Sequence, residues 1–235
     1  MKILALDTST EYLSLALALD GQFYGRELLA GQTHSQRILP LLRELLDEAD
    51  IELMDLDGIA FGAGPGSFTG LRIGCGVAQG LAFGANLPVV GVSTLLALAE
   101  DAGDAQQVIA CLDARMGEVY HAAYRRQAGG WQEVLAPGLY APESVPIVPQ
   151  QDGLAADWVG IGSGWKTYAD SLQQQYAAHV QQILPDAYPR AAAIAKLALP
   201  RFAAGEARPA AEAAPVYIRN KVAMTTSERQ KGQAA

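Results

Sequence analysis

The chain has 235 residues and a mass of 24.8 kDa; 50% of its residues are hydrophobic and 18% charged, so it can bury one or two ordinary cores and is not a disordered polymer. A formal net charge of −8 excludes nucleic-acid binding through a generally basic surface, and any RNA must be met through a local patch or a partner. Two cysteines, Cys75 and Cys111, are too few for a disulfide framework and read as buried thiols. No apolar run reaches the roughly 18 residues of a membrane helix, so no membrane partner and a cytoplasmic location are expected.

The opening MKILALDTSTEYLSLALAL is apolar enough to raise a signal peptide, but Asp7 and Glu11 interrupt it and strands are predicted over Ile3 to Leu6 and Leu13 to Leu19. A third strand, Phe23 to Leu29, follows the Asp20-Gly21 turn. Thr33 reads as the N-cap of a helix with Ile38, Leu42, Leu45, Leu46 and Ala49 on one face, and Pro40 inside it predicts a kink. Residues 58–62 make a short buried strand, GAGPGSFTG a loop, and a helix starting at Thr69 runs from about Gly70 to Gly84. Leu87 to Val92 is the next strand and Thr94 to Ala102 a short helix.

Near Ala105 the pattern restarts. VIACLDARMGEVYHAAYR (108–125) repeats an apolar strand, an aspartate at its end, a tight turn and a second strand, so Asp113 falls where Asp7 did. A duplicated α/β domain with subdomains 1–105 and 106–223 explains this, and two unrelated hairpins are the alternative. A Pro-rich stretch (137–149), a strand (157–162), a helix near 166–182, an Ala-rich helix near 189–204, PVYIR (215–219) and a disordered polar tail (224–235) complete the reading.

A carboxylate at the carboxyl end of the first strand of an α/β sheet is where phosphates and their cations are met, which makes Asp7, Thr8 and Ser9 candidate nucleotide contacts. Closure of the hairpin turn by Asx-type bonding is the other reading. The loop carrying Gly66, Ser67 and Thr69 leads into a helix start that can offer N–H groups to an anion, with Arg72 assisting. A rigid capped loop whose glycines permit close strand-to-helix packing is the other reading, and the better supported of the two. It is no Walker loop, and VGIGSG (159–164) is a low-specificity nucleotide-loop fragment. The second aspartate stands in Asp113-Ala114-Arg115-Met116-Gly117, whose side chains crowd an approach that glycine would leave open, so ATP hydrolysis by the chain alone is not expected. Glycines and alanines from Gly70 to Ala82 call for a close contact, inside the molecule or across an interface with the neighbouring helix, whose Leu39 and Leu41 lie off the buried stripe. His34, His121 and His179 show no metal spacing and read as structural, with capping or interface bonding for His34.

ILALDTST, THSQRILPLL, GPGSFTGLRIG, GLAFGANLPVVGVSTL and PVYIR together resemble the TsaB family, formerly YeaZ, over nearly the whole chain. The resemblance implies a duplicated actin-like ATPase (ASKHA, ribonuclease H-like) α/β fold and a role in threonylcarbamoyladenosine (t6A37) tRNA modification beside the paralogous catalytic subunit TsaD. It implies a non-catalytic scaffold that binds and activates TsaD, is joined by the ATPase TsaE, forms homodimers when alone and reaches tRNA only through the complex. No cofactor is required of it, and ATP or ADP belongs to the complex. The interface expected comprises His34, Leu39, Leu41, Leu45, Gly70, Arg72, Gly74 and Val77. Thr94 and Leu98 stand where TsaD carries its metal-binding histidine pair, so no metal site is expected, which also disfavours a metallopeptidase. An autonomous actin-like ATPase or phosphotransferase is the remaining alternative.

Overall fold

The computed structural model describes residues 1–149, 157–177 and 179–219; the tail expected over 224–235 lies outside them. The first half opens with β1 (Lys2–Asp7), β2 (Tyr12–Leu19) and β3 (Gln22–Leu29). They form an antiparallel meander, closed at Asp20-Gly21 by a two-residue turn with both φ angles positive (49° and 92°). Helix α1 (His34–Glu48) leads to β4 (Gly58–Gly64), helix α2 (Phe68–Ala85) to β5 (Val89–Ser93), and α3 (Thr94–Glu100) leaves the sheet. β4 and β5 join β1 in parallel, giving the order β3-β2-β1-β4-β5.

The alternation of side chains along β1 explains its unbroken apolar run. Leu4 and Leu6 face a core shared with Ile38, Leu42 and Leu45 of α1 and Cys75, Ala78 and Ala82 of α2. Ile3 and Ala5 face the other side, against Ala191, Ile194, Ala195 and Ala198. A strand covered by helices on both faces needs no polar side.

The second half repeats the design. β6 (Gln107–Arg115), β7 (Glu118–Gln127) and β8 (Gly130–Tyr140) form a meander, β9 (Trp158–Ile161) pairs parallel with β6, and after helices α4 (Gly164–Thr167) and α5 (Ala169–Tyr176) comes β10 (Val180–Leu184). The order β8-β7-β6-β9-β10 matches the first sheet position for position, with Asp7 and Asp113 at equivalent places. Duplication is therefore the correct explanation of the repeated sequence pattern.

Several expectations change. The helix predicted near 166–182 is two short helices broken at Tyr168 and ends at Tyr176, because Val180–Leu184 is taken up as an edge strand beside β9. His179 accordingly precedes a strand and does not ride on a helix. β8 was hidden by Pro137 and Gly138, residues that an edge strand with bulges tolerates. α1 continues through Pro40, which lies on its exposed face. Thr33 makes no side-chain cap; its hydroxyl instead donates back to the Ala30 carbonyl at 2.7 Å.

The split at 105/106 is not a split in space. Helix α6 (Ala191–Ala203) packs on β1, β2 and β4 of the first sheet, and Ser14 Oγ, buried in β2, accepts from the Ala191 N–H at 2.8 Å at its start. The first lobe is thus completed by residues from the end of the chain.

Candidate functional site

The two lobes face each other across a cleft of about 1000 Å³. Its walls are built from equivalent places in the two sheets, the loops after the first and fourth strands. On the first lobe, Asp7 ends β1 and turns inward, 1% exposed. Its Oδ1 accepts from the Ser9 N–H at 2.9 Å and from the Ser9 hydroxyl at 2.8 Å, while Oδ2 is buried with no hydrogen-bond partner among the described residues. Burial pushes the Asp7 carboxyl up to about 7, against the two Ser9 bonds that pull it down. Oδ2 lies over Gly62, where any Cβ would collide with it.

The glycine-rich loop is laced to this turn. Ser67 N–H donates to the Ser9 carbonyl at 2.7 Å, the Thr8 hydroxyl to the Gly70 carbonyl at 2.7 Å, and Ser67 Oγ caps α2 by accepting from Gly70 N–H at 3.3 Å. The cap is therefore Ser67, two residues before the predicted helix start. Cβ atoms at Gly66 and Gly74 would stand 2.6 Å from the Ser9 carbonyl and the Thr8 hydroxyl, and one at Gly70 would strike the Thr8 carbonyl. The structure thus brings Asp7, Thr8, Ser9, Gly66, Ser67 and Thr69 together. The close-packing reading accounts for the glycines, and the turn-closing reading accounts for Asp7.

On the second lobe Asp113 is held by its own neighbours. Oδ1 accepts from Arg115 N–H at 2.8 Å and the Tyr168 hydroxyl at 3.2 Å, and Oδ2 pairs with the Arg115 guanidinium at 3.0 Å. Ser163, in the glycine loop after β9, accepts from Asp113 N–H at 3.1 Å. Met116 and Gly117 turn the chain with positive φ, and Met116 is 63% exposed at the cleft wall. An actin-like nucleotide site needs two carboxylates open to a hydrated cation between them. Here one is sealed in the first lobe and the other neutralised in place, so these residues do not fit a cation-bound triphosphate.

Residues 28–227 match the family model of TsaD, tRNA N6-adenosine threonylcarbamoyltransferase. The TsaB protein of Escherichia coli K12 is 42% identical over 228 residues, 95% of this chain and 96% of its own length. The chain belongs to the TsaB family. The Haemophilus influenzae TsaB protein is 37% identical over 233 residues, 94% of this chain and 95% of that one. The solved structure of YeaZ from Pseudomonas aeruginosa, 41% identical, covers 92% of this chain and 99% of its own with a TM-score of 0.84. The fold of this TsaB-family chain is the duplicated actin-like α/β fold.

The residues expected at a TsaB interface divide by burial. Leu39 and Arg72 are exposed, and Leu41 and Val77 are half-buried. Leu45, Gly70 and Gly74 are buried inside the lobe and cannot meet a partner directly, because the main stripe of α1 and the N-terminal glycines of α2 serve the core. His34 is buried as well; its Nε2 donates to the Tyr12 carbonyl at 3.2 Å, a contact that fastens α1 to β2. Thr94 and Leu98 are fully buried, and the Thr94 hydroxyl donates to the Pro65 carbonyl at 2.5 Å. Among the described residues no group of three or more His, Cys, Asp or Glu is placed to hold a metal ion.

Sequence reasoning missed Ser163, Tyr217 and Arg219 as cleft residues, and Tyr168 as the partner of Asp113. VGIGSG was a usable signal for Ser163. PVYIR marked Tyr217 and Arg219 as part of a family segment without placing them, and nothing local in the sequence marks Tyr168.

Proposed function

We propose that this chain serves t6A biosynthesis as a non-catalytic subunit that docks on TsaD through the exposed face of α2 and the adjoining part of α1. The name shared by its relatives, tRNA threonylcarbamoyladenosine biosynthesis protein TsaB, supports the process. The observation that carries the surface is on α2. Gly76, Gly80 and Gly84 follow one another at intervals of one helical turn, are exposed, and among the described residues have no atom from outside the helix backbone within 4 Å of where a Cβ would sit. Each glycine inside a helix costs about 1 kcal/mol relative to alanine, and among the described residues no close contact offsets it. A groove of that kind admits the backbone of another helix, and Phe83, 79% exposed beside it, supplies an apolar anchor.

The same face serves a second copy of the chain when TsaD is absent. TsaE and tRNA reach this subunit through the assembled complex, and ATP or ADP is handled there, since Asp7 of this chain is sealed in the first lobe and Asp113 at the cleft is paired with Arg115. The sealed Asp7 and the paired Asp113 disfavour the autonomous ATPase or phosphotransferase reading. The test is size-exclusion chromatography with light scattering of the chain alone and with TsaD. A heterodimer that replaces the homodimer is expected, and separate elution at micromolar concentrations defeats the proposal.

A further inference from the structure

Among the described residues the chain passes between the lobes three times. The first passage leaves β5 through α3 into β6, and the second runs from Leu184 at the end of β10 to α6. Two such connections define an axis about which two lobes can rotate. The third passage is different, because it runs inside the cleft and not along the hinge.

Residues 205–216 belong to the first lobe. Arg208 pairs with Val89 at the edge of β5, Ala210 is buried in the α1–α2 core, and Val216 N–H donates to the Ala63 carbonyl of β4 at 2.7 Å. Within three residues the chain then reaches the second lobe. Tyr217 still holds the first, accepting from Arg72 Nε at 3.0 Å and packing beside Phe68, with ring centroids 5.4 Å apart. Ile218 packs against the second-lobe core of Leu112, Ala122 and Ile161. Arg219 is only 12% exposed; it pairs with Glu118 at 2.7 Å and donates to the Ala114 carbonyl at 3.0 Å. Charge-assisted bonds are the stronger kind, and these two lie across the cleft from Ala63.

We infer that residues 216–219 form a strap that locks the angle between the lobes, taking from this actin-like frame the hinge motion its two connections would permit. Opening the cleft must separate Ala63 from Ala114 and Glu118, and so must break either the Val216 bond or the Arg219 cluster. The strap also carries a route outward. Arg72 holds Tyr217 and stands on the exposed face of α2, so a partner engaging Arg72 bears on the lobe angle; this clause alone rests on the proposed docking face.

The test uses the full chain with spin labels at Gln36→Cys on α1 and Gln173→Cys on α5, both exposed, the native Cys75 and Cys111 being buried, diluted into an excess of unlabelled chain so that distances within one copy are read even where two copies associate. Pulsed electron resonance should give one narrow distance in the otherwise unaltered protein. Arg219→Ala, Tyr217→Ala and Glu118→Gln should each broaden and lengthen it, with the second-lobe change Glu118→Gln matching Arg219→Ala. An unchanged narrow distance in all three variants, or a broad one before any strap change, overturns the inference. The measurement needs no TsaD, so its failure and a failure of the docking proposal are separate results.

Discussion

Asp7 and His121 are the two side chains whose burial most clearly sets a property of the molecule, and they act in opposite directions with pH. Asp7 is raised by burial from an ordinary 3.8 to about 7, so its contribution to stability is whole below pH 3.8 and is lost as pH rises through 7. Asp7→Asn removes that loss. Urea melts should show the variant ahead of the parent at pH 8, with the gap shrinking by about 2–3 kcal/mol at pH 5, at about 1.36 kcal/mol per pH unit; a gap independent of pH refutes the assignment. His121 is fully buried in β7, its Nε2 2.7 Å from the Tyr176 hydroxyl, which itself donates to the Pro146 carbonyl at 2.6 Å. Nε2 therefore carries the proton. Burial lowers the imidazole from 6.5 to about 4, so its contribution is present above pH 6.5 and lost as pH falls through 4. Nitrogen NMR should find a neutral, Nε2-protonated ring that does not titrate between pH 8 and 5.5; a midpoint near 6.5 contradicts it. Neither value is readable from sequence, because each depends on what surrounds the side chain and not on its neighbours in the chain.

At the scale of the element, α2 holds two classes of glycine in one helix. Gly70 and Gly74 lie against the Thr8 turn, where there is no room for a methyl group; Gly76, Gly80 and Gly84 face open space. Gly70→Ala should lower stability by about 1–3 kcal/mol through overpacking, whereas Gly80→Ala should raise it by about 1 kcal/mol through helix propensity. Thermal melts of the two variants decide this, and equal effects would erase the distinction. Gly80→Leu should keep the monomer folded while abolishing association with TsaD, read by co-elution. Gly74→Leu reports on folding instead, since its side chain would enter the Thr8 and Leu6 packing. Glycine density in the sequence announced a close approach. Which glycines face inward was not legible, because the 3.6-residue period sets Gly70 and Gly74 on one face and Gly76 on another but does not say which face the core takes.

For the whole molecule, duplication and the repeated aspartates make a two-walled cleft, and the chemistry of each wall decides what the cleft can do. Asp7 is sealed and Asp113 is paired with Arg115, so purified chain should show no ATP turnover above a blank, and Arg115→Ala should not create any. Release of phosphate that disappears in Asp7→Ala would count against this. The passage of α6 and the C-terminal segment back onto the first lobe makes the lobes interdependent, so truncation before Ala191 should leave the first sheet with an uncovered apolar face, visible as loss of the cooperative melt.

The local order of residues determined the strands, the main helices, the tandem repeat and the family, because a period of 2 or 3.6 in side-chain polarity and a run such as GPGSFTGLRIG are carried by neighbours in the chain. Only the tertiary structure decided that Ser67 caps α2, that 180–184 is a strand, that Leu45 and Gly74 are core, and that residues 216–219 cross the cleft. Those outcomes depend on burial and on contacts between residues far apart in the chain, such as Arg219 with Ala114 or Ser14 with Ala191, and a hydrogen bond or a packed face exists only where folding brings both sides together.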